Sequence, residues 1–547
     1  MKGKFINSWL VFLILLAFTF SSIGITPVQA AGLPDTTADV VYGQAGSFTT
    51  NTPNNGGISA NSLAMPVIDK VSVTDGMYVT DWANSRVLYY PAGSTTATRV
   101  YGQNGSFTTG TENKGGISAK SLRLPIGVAV YANNNVYVAD INNNRVLYYP
   151  AGSTTATRVY GQGGSFTTNT FNKGGISANS LAYPTGVAVD AKGNLYVADR
   201  GNARVLYYPA GSTTATRVLG QGGSFTTGTS NKGGISAKSL SNFLDEVMVD
   251  GSGNLYVADV GNNRVLYYPK GSATATRVYG QGGSFTTNTV SGISADSLNQ
   301  PCGLVVDSVG GLYIADQVNS RVLYYPAGST TATRVYGQGG SFTTGTANNG
   351  GISADSLFIP SGVALDESGN LYISDQFNNR VLEYFKEQLS NGGFNTYVGS
   401  GTIPLYWNAL NFSSSDGKDT TNVEEGSASV RIGGSSASKS LSQTILLKGI
   451  AGDTFTFSFW VMGDAIPANG ACMGQVLVYK NNPQAGPGTP DILVGTYTIN
   501  CPTDTFAFQP MSLTFTVPSV YYKVVVKFTY SKPSGTVWFD NASLTVR

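Results

Sequence analysis

The sequence predicts an all-β chain made of a six-bladed β-propeller and a C-terminal β-sandwich. Three observations predict it: a unit of about 59 residues recurs six times between residues 38 and 385, each unit holds four short runs of strand chemistry, and beyond 385 the repeat gives way to longer alternating runs. Composition agrees, because 68 Gly, 31 Tyr and only 12% charged residues in a chain of 547 describe turn-rich sheet and not helix.

The array is measured by its most constant element, Asp-x-x-Asn-x-Arg. Its arginines stand at 86, 145, 204, 264, 321 and 380, so successive spacings are 59, 59, 60, 57 and 59. A second element, (Tyr/Leu)-Gly-Gln, places glycines at 43, 102, 161, 220, 280 and 337. In the third unit the four strand runs are Gly186 to Asp190, Asn194 to Asp199, Arg204 to Tyr208 and Ala215 to Gly220. Ala191-Lys192-Gly193 turns the chain between the first two, and Pro209-Ala210-Gly211-Ser212 between the last two. The last unit has no Gly-Gln strand after Arg380 to Phe385, whereas Ala38 to Gly43 is such a strand with no three strands before it. The N-terminal strand is therefore expected to complete the last blade, which removes two exposed sheet edges at once.

Domain boundaries follow. Residues 1–30 read as a signal peptide, since Lys2 and Lys4 precede an apolar run from Trp9 to Phe20 and Val28-Gln29-Ala30 offers a small-residue cleavage site. The propeller occupies 38–385, a linker 386–392 and the sandwich 393–547. No other run approaches the roughly 20 apolar residues of a membrane span, so no transmembrane anchor is expected and the product is secreted or held at the cell surface. A net charge of +2 without a basic stripe gives no reason to expect nucleic acid. Export favours a disulfide between Cys472 and Cys501, contributing about 3 kcal/mol through loop closure. It leaves Cys302 over.

The chain contains no histidine, which removes the commonest general base and metal ligand together with every Ser-His or Cys-His nucleophile. Within the array, the constant pairs Asp81 and Arg86, Asp140 and Arg145, Asp199 and Arg204, Asp259 and Arg264, Asp316 and Arg321, and Asp375 and Arg380 are expected to tie turns and blades together by hydrogen bonds. At this point the units resemble NHL repeats, on Gly186-Val187-Ala188-Val189-Asp190, Gly193 to Asp199 and Asn202-Ala203-Arg204-Val205. The resemblance implies a propeller, often of six blades, with its Asp and Arg in structural roles.

Positions that vary are the better ligand candidates. Strand alternation puts the second-to-third turn and the long fourth-to-first loop at one end of the ring, and that turn offers Trp82, Ile141, Arg200, Val260, Gln317 and Gln376, with Phe377 beside the last. Before each first strand the sequence usually reads x-x-Pro-x-Gly, but Ile68-Asp69 and Asp245-Glu246 bring three carboxylates, Asp69, Asp245 and Glu246, to the expected channel mouth. They could hold a cation or sugar hydroxyls, against the plainer reading of solvated carboxylates. Cys302, equivalent to Asp245, has no base to activate it and reads as an inert thiol. The recurring Gly-Ser-Phe-Thr-Thr and Gly-Ile-Ser-Ala segments read as loops pinned by apolar anchors, or as a ring of loops for a repetitive partner.

After the linker, runs such as Ala428 to Ile432, Leu441 to Leu447, Thr454 to Met462, Gln475 to Tyr479, Ser512 to Val517, Tyr522 to Tyr530 and Thr536 to Val546 imply a sandwich. In Thr454 to Met462, Phe455, Phe457, Phe459 and Val461 share the core face and Trp460 lies opposite with Thr456 and Ser458. Asn391-Gly392-Gly393-Phe394, Leu441-Ser442-Gln443, Phe457 to Val461 and Val537 to Leu544 resemble the jelly-roll carbohydrate-binding modules appended to secreted glycanases. That resemblance implies sugar stacking on Trp460, with Trp407 and Tyr406 in a loop as further candidates, and a structural calcium at Asp540. The expected function is therefore non-enzymatic binding, with polysaccharide and surface proteins as partners. Two alternatives remain open. One is a metal-dependent propeller enzyme of lactonase or lyase type, for which amidating-lyase histidines are missing; the other is a module that binds protein alone.

Overall fold

The computed structural model describes residues 36–546, except 73–75, 133, 290–291, 368, 387, 390, 398–400, 448, 469–471 and 481–490, with backbone only for 69–72. The expected signal peptide and the Asp69 side chain lie outside the described residues. The fold is all-β, and the described residues form six four-stranded antiparallel sheets and two five-stranded ones.

The third unit shows why the repeat folds as it does. Its strands are Pro184–Val189, Leu195–Asp199, Arg204–Tyr208 and Arg217–Leu219. At the first hairpin, Asp190 Oδ1 accepts the N–H of Lys192 (2.9 Å) and of Asn194 (3.0 Å), and Gly193 takes φ 82°, a left-handed conformation that suits glycine. The second hairpin is a single 3-10 turn, Arg200–Asn202, closed by Ala203 at φ 51°.

The N-terminal strand Val40–Tyr42 pairs antiparallel with Arg380–Tyr384, in the register Val40 to Glu383 and Tyr42 to Val381. The last sheet thus takes its outer strand from the start of the chain, as expected from the repeat count. The first strands of the six sheets are consecutive neighbours, and Pro360–Leu365 lies against Pro66–Ser72. Six hydrophobic clusters each bridge two adjacent sheets, and one of them joins Tyr372 and Val381 to Ile68 and Leu88. These sheets are propeller blades in their order and pairing.

The two five-stranded sheets face a single core. Phe455, Phe457, Phe459 and Val461 of Thr454–Ile466 meet Val476, Val526 and Phe528 of the opposite sheet. Three strands escaped sequence reading, Asn408–Leu410, Gly417–Asp419 and the little-buried edge strand Ile492–Asn500, and Asp504–Thr516 begins well before the run read at Ser512 to Val517. Cys472 and Cys501 form the expected disulfide, with Cα atoms 5.2 Å apart. Among the described residues no helix is long and apolar enough to cross a membrane.

Candidate functional site

The constant residues of the repeat form a closed hydrogen-bond network. In the third unit Arg204 Nε donates to Asp199 Oδ2 (2.7 Å), Nη1 to the carbonyl of Phe225 (2.6 Å), and Nη2 to the carbonyls of Ser177 (2.9 Å) and Ser180 (3.1 Å). Asp199 Oδ1 accepts the N–H of Ala182 (2.7 Å), and Asn202 and Asn172 exchange amide hydrogen bonds at 2.7 and 2.9 Å. The same Asp–Arg contact, 2.7 to 2.8 Å, recurs at Asp81–Arg86, Asp140–Arg145, Asp259–Arg264, Asp316–Arg321 and Asp375–Arg380, always with both side chains fully buried. One arginine per unit therefore staples both long loops to the 3-10 turn. The phenylalanine of each Gly-Ser-Phe-Thr-Thr segment packs on the cluster beneath it.

Around the central axis the first strands crowd together. Gly186 N donates to the carbonyl of Asp245 (2.8 Å), and a Cβ on Gly186 would stand 2.5 Å from that oxygen, which explains the glycine of x-x-Pro-x-Gly. Where the fourth unit replaces this pattern, it brings charge to the axis. Asp245 and Glu246 border a narrow gap between the strands, and Glu246 continues into a channel of about 200 Å³ otherwise walled by Val, Ala, Leu and Met. Arg200 of the third unit lies over the Phe243 ring, 3.9 Å from its centroid. Burial pushes the Asp245 carboxyl up to about 6 against the opposing pull of Arg200. Asp245 and Glu246 are both half-buried at this gap, neither freely solvated surface carboxylates nor sealed from water. Two residues read from separate units, Arg200 and Asp245, are thus brought together; Phe243, their third member, was missed because a single aromatic in a variable position carries no pattern.

The other face candidates do not converge. Ile141 and Val260 are buried in the sheets and are not available to a ligand. Trp82, Gln317 and Gln376 are half-buried, each at the start of its own 3-10 turn. Phe377 is 39% exposed and packs edge-on against Phe358 at 5.2 Å. Cys302 is buried, and burial pushes its thiol well above the usual range, so it stays protonated.

In the C-terminal sheets, Trp460 lies on the outward face of its strand, half-buried, at the end of a hydroxyl-rich strip. Thr456 Oγ1 meets Thr514 Oγ1 at 3.1 Å, Ser458 stands opposite Ser512 and Ser543, and Trp460 stands opposite Pro510. Tyr406 is 36% exposed. Trp407 does not fit the reading of an exposed platform: it is buried against Phe394 (5.1 Å) and Phe528 (5.8 Å), and its indole N–H donates to the carbonyl of Asn391 (3.2 Å). Its apolar bulk fills the core, so the loop after Pro404 dives inward. The calcium expected at Asp540 also lacks a fitting donor set. Asp540 is fully buried, and its oxygens already accept the backbone N–H groups of Glu424 (2.9 Å), Glu425 (3.2 Å) and Asn541 (2.8 Å), which tie a loop to the last strand. Among the described residues no group of three or more acidic or sulfur side chains converges on a metal position.

Residues 181–208 match the NHL repeat family. No curated protein matches the chain. Among solved structures, the chain is similar to a Bacteroides thetaiotaomicron structural genomics protein of unknown function (17% identity over 63% of this chain and 75% of that one, TM-score 0.41). A second is TmCBM61 in complex with β-1,4-galactotriose (15% identity, 29% of this chain and 97% of that one, TM-score 0.21). A third is the enzymatically active domain of bacteriophage CBA120 tailspike protein 4 (16% identity, 29% of this chain, TM-score 0.23), of which this chain spans 21%. At these scores the likenesses add no weight to the strand pairing itself.

Proposed function

We propose that the chain is an exported, non-catalytic binding protein. In this reading its six sheets close as a six-bladed propeller over 38–385 that serves as an interaction scaffold. Residues 393–547, joined through 386–392, are a jelly-roll module that binds carbohydrate and attaches the chain to glycan outside the cell. The observation that carries the reading is Trp460: a large aromatic beside a flat strip of serine and threonine hydroxyls. The apolar face of a pyranose packs on such a ring while neighbouring hydroxyls exchange hydrogen bonds with the sugar.

The test is affinity electrophoresis of the full chain through gels containing single polysaccharides. At least one polymer should retard it, and Trp460→Ala should weaken that retardation about tenfold or more with an unchanged unfolding midpoint. Free migration through every polymer, or equal retardation of Trp460→Ala, would sink the reading.

A further inference from the structure

The fifth unit departs from the other five in the length of its long loop, and its neighbours show what the missing residues do. Before Gly-Ile-Ser-Ala the other units carry lysine at 114, 173 and 232 or asparagine at 55 and 349. In the fifth unit Val290-Ser291 stands where the third has Phe171-Asn172-Lys173-Gly174. In the second, third and fourth units the lysine reaches back onto its own loop. Its ammonium donates to the hydroxyl of Thr109 (2.9 Å), Thr168 (3.1 Å) or Thr227 (3.1 Å). Each threonine donates in turn to the side-chain carbonyl of Gln103 (3.1 Å), Gln162 (3.0 Å) or Gln221 (3.1 Å). The asparagine before the lysine gives its backbone N–H to the carbonyl of Leu122 (2.9 Å), Leu181 (3.2 Å) or Leu240 (2.8 Å).

The fifth unit keeps these acceptors without the donors. Gln281 Nε2 still donates to the carbonyls of Asn263 (3.2 Å) and Thr289 (2.9 Å), but Gln281 Oε1 is buried and has no hydrogen-bond partner. The Leu298 carbonyl, counterpart of that of Leu181, receives no backbone N–H among the described residues. Both residues border a pocket of about 160 Å³ together with Thr289, Ser294, Asp296 and Ser297. Asp296 is exposed, and its Oδ1 accepts the Ser294 hydroxyl (2.6 Å). At the same place in the loop the second and fourth units carry Lys120 and Lys238. The fifth unit thus lacks the internal ammonium of its neighbours and presents a carboxylate where two of them present a cation.

A pocket of this size lies below the roughly 300 Å³ at which drug-sized sites begin, so it suits a single chemical group. Its wall offers acceptors and one negative charge, which calls for a compact cation with several donors. A primary ammonium has three donors and no acceptor, and its hydrogen bonds to a carboxylate are stronger than neutral ones. The lysines of the second, third and fourth units show that this loop architecture accommodates such a group beside the same glutamine.

We propose that the fifth unit binds a primary ammonium group supplied from outside the chain, at a site separate from the Trp460 strip. An amino sugar and a lysine side chain both carry that group. Ligand-observed NMR on the full chain is run with glucosamine and with Nα-acetyl-lysine amide, each compared with the form acetylated on its free amine. At least one amine should bind saturably, about tenfold tighter than its acetylated form, and the tighter of the two marks the source. Asp296→Asn, which introduces the residue type the third unit carries at 179, should weaken binding about threefold. A variant with Phe-Asn-Lys-Gly in place of Val290-Ser291 supplies the ammonium internally and should abolish binding, with circular dichroism confirming that its sheets are intact. Trp460→Ala should bind the amine unchanged, which separates this site from the glycan reading. The proposal is overturned if neither amine saturates, if the acetylated forms bind equally, if Asp296→Asn or the loop variant binds like the native chain, or if Trp460→Ala abolishes binding.

Discussion

The ring and the C-terminal sheets are both antiparallel β-structure packed through apolar clusters, yet they anchor their connections differently. Each unit of the ring buries an Asp–Arg pair with no exposed side-chain surface, and that pair gathers two loops of Ser, Thr, Gly and Asn. The C-terminal sheets instead share one apolar core built around Phe455, Phe457, Phe459 and Phe528. The difference follows from loop length. A unit of about 59 residues spends most of its chain outside its four short strands, so its loops need polar anchors, whereas the long strands of the C-terminal sheets carry their own apolar face.

The largest expected effect breaks the ring at one anchor. Asp199→Ala removes the acceptor of Arg204 Nε and leaves a buried guanidinium uncompensated, which costs about 3–5 kcal/mol. Chemical denaturation of the full chain should show the loss in the ring's transition while that of the C-terminal sheets stays in place. A change below about 1 kcal/mol would mean that the pair is dispensable and that the contrast between the two regions is false.

A smaller effect separates the fourth unit from its neighbours. Asp245 has its carboxyl pushed up to about 6 by burial, so between pH 4 and 6 the folded chain binds a proton that the unfolded chain has released. Its contribution to stability is therefore greatest below pH 4 and falls as pH rises through 6. Asp245→Asn should flatten that part of the dependence, read as unfolding midpoints from pH 4 to 7. An unchanged slope in the variant would assign the titration to another group.

Much of the ring was legible because repetition multiplies a weak signal. One Asp-x-x-Asn-x-Arg turn says little, but six at constant spacing fix unit, strand order and the exchange of Val40–Tyr42 into the last sheet. The edge strand Ile492–Asn500 was not legible, since only one of its nine residues is buried and no alternation marks it. Trp407 misled for a related reason: proximity to a proline and a tyrosine suggests a loop, and nothing local reveals that the indole reaches Phe528, more than a hundred residues away. The Arg200–Phe243–Asp245 group was half legible, because its members come from different units and only their charges stood out against the repeat. Glu383 was also readable as a break in the Arg-Val-Leu-Tyr-Tyr pattern, but its partner Tyr42 lies 341 positions away.

The smallest effect tests whether the ring tolerates imperfect polar pairing. Each unit buries a tyrosine, at 90, 149, 208, 268, 325 and 384, whose hydroxyl has no hydrogen-bond partner. Against the arginines, whose Nε, Nη1 and Nη2 all donate, this is a repeated deficit, and an unpaired buried hydroxyl costs about 1–3 kcal/mol. The rings themselves earn their place by packing, as in the edge-to-face contact of Tyr208 with Tyr160 at 5.2 Å. Tyr208→Phe keeps that ring and deletes the orphaned group, so it should leave stability unchanged or raise it by up to about 1 kcal/mol in denaturant titration. A loss of more than about 1 kcal/mol would show that the Tyr208 hydroxyl has a partner in solution, a buried water being the obvious one.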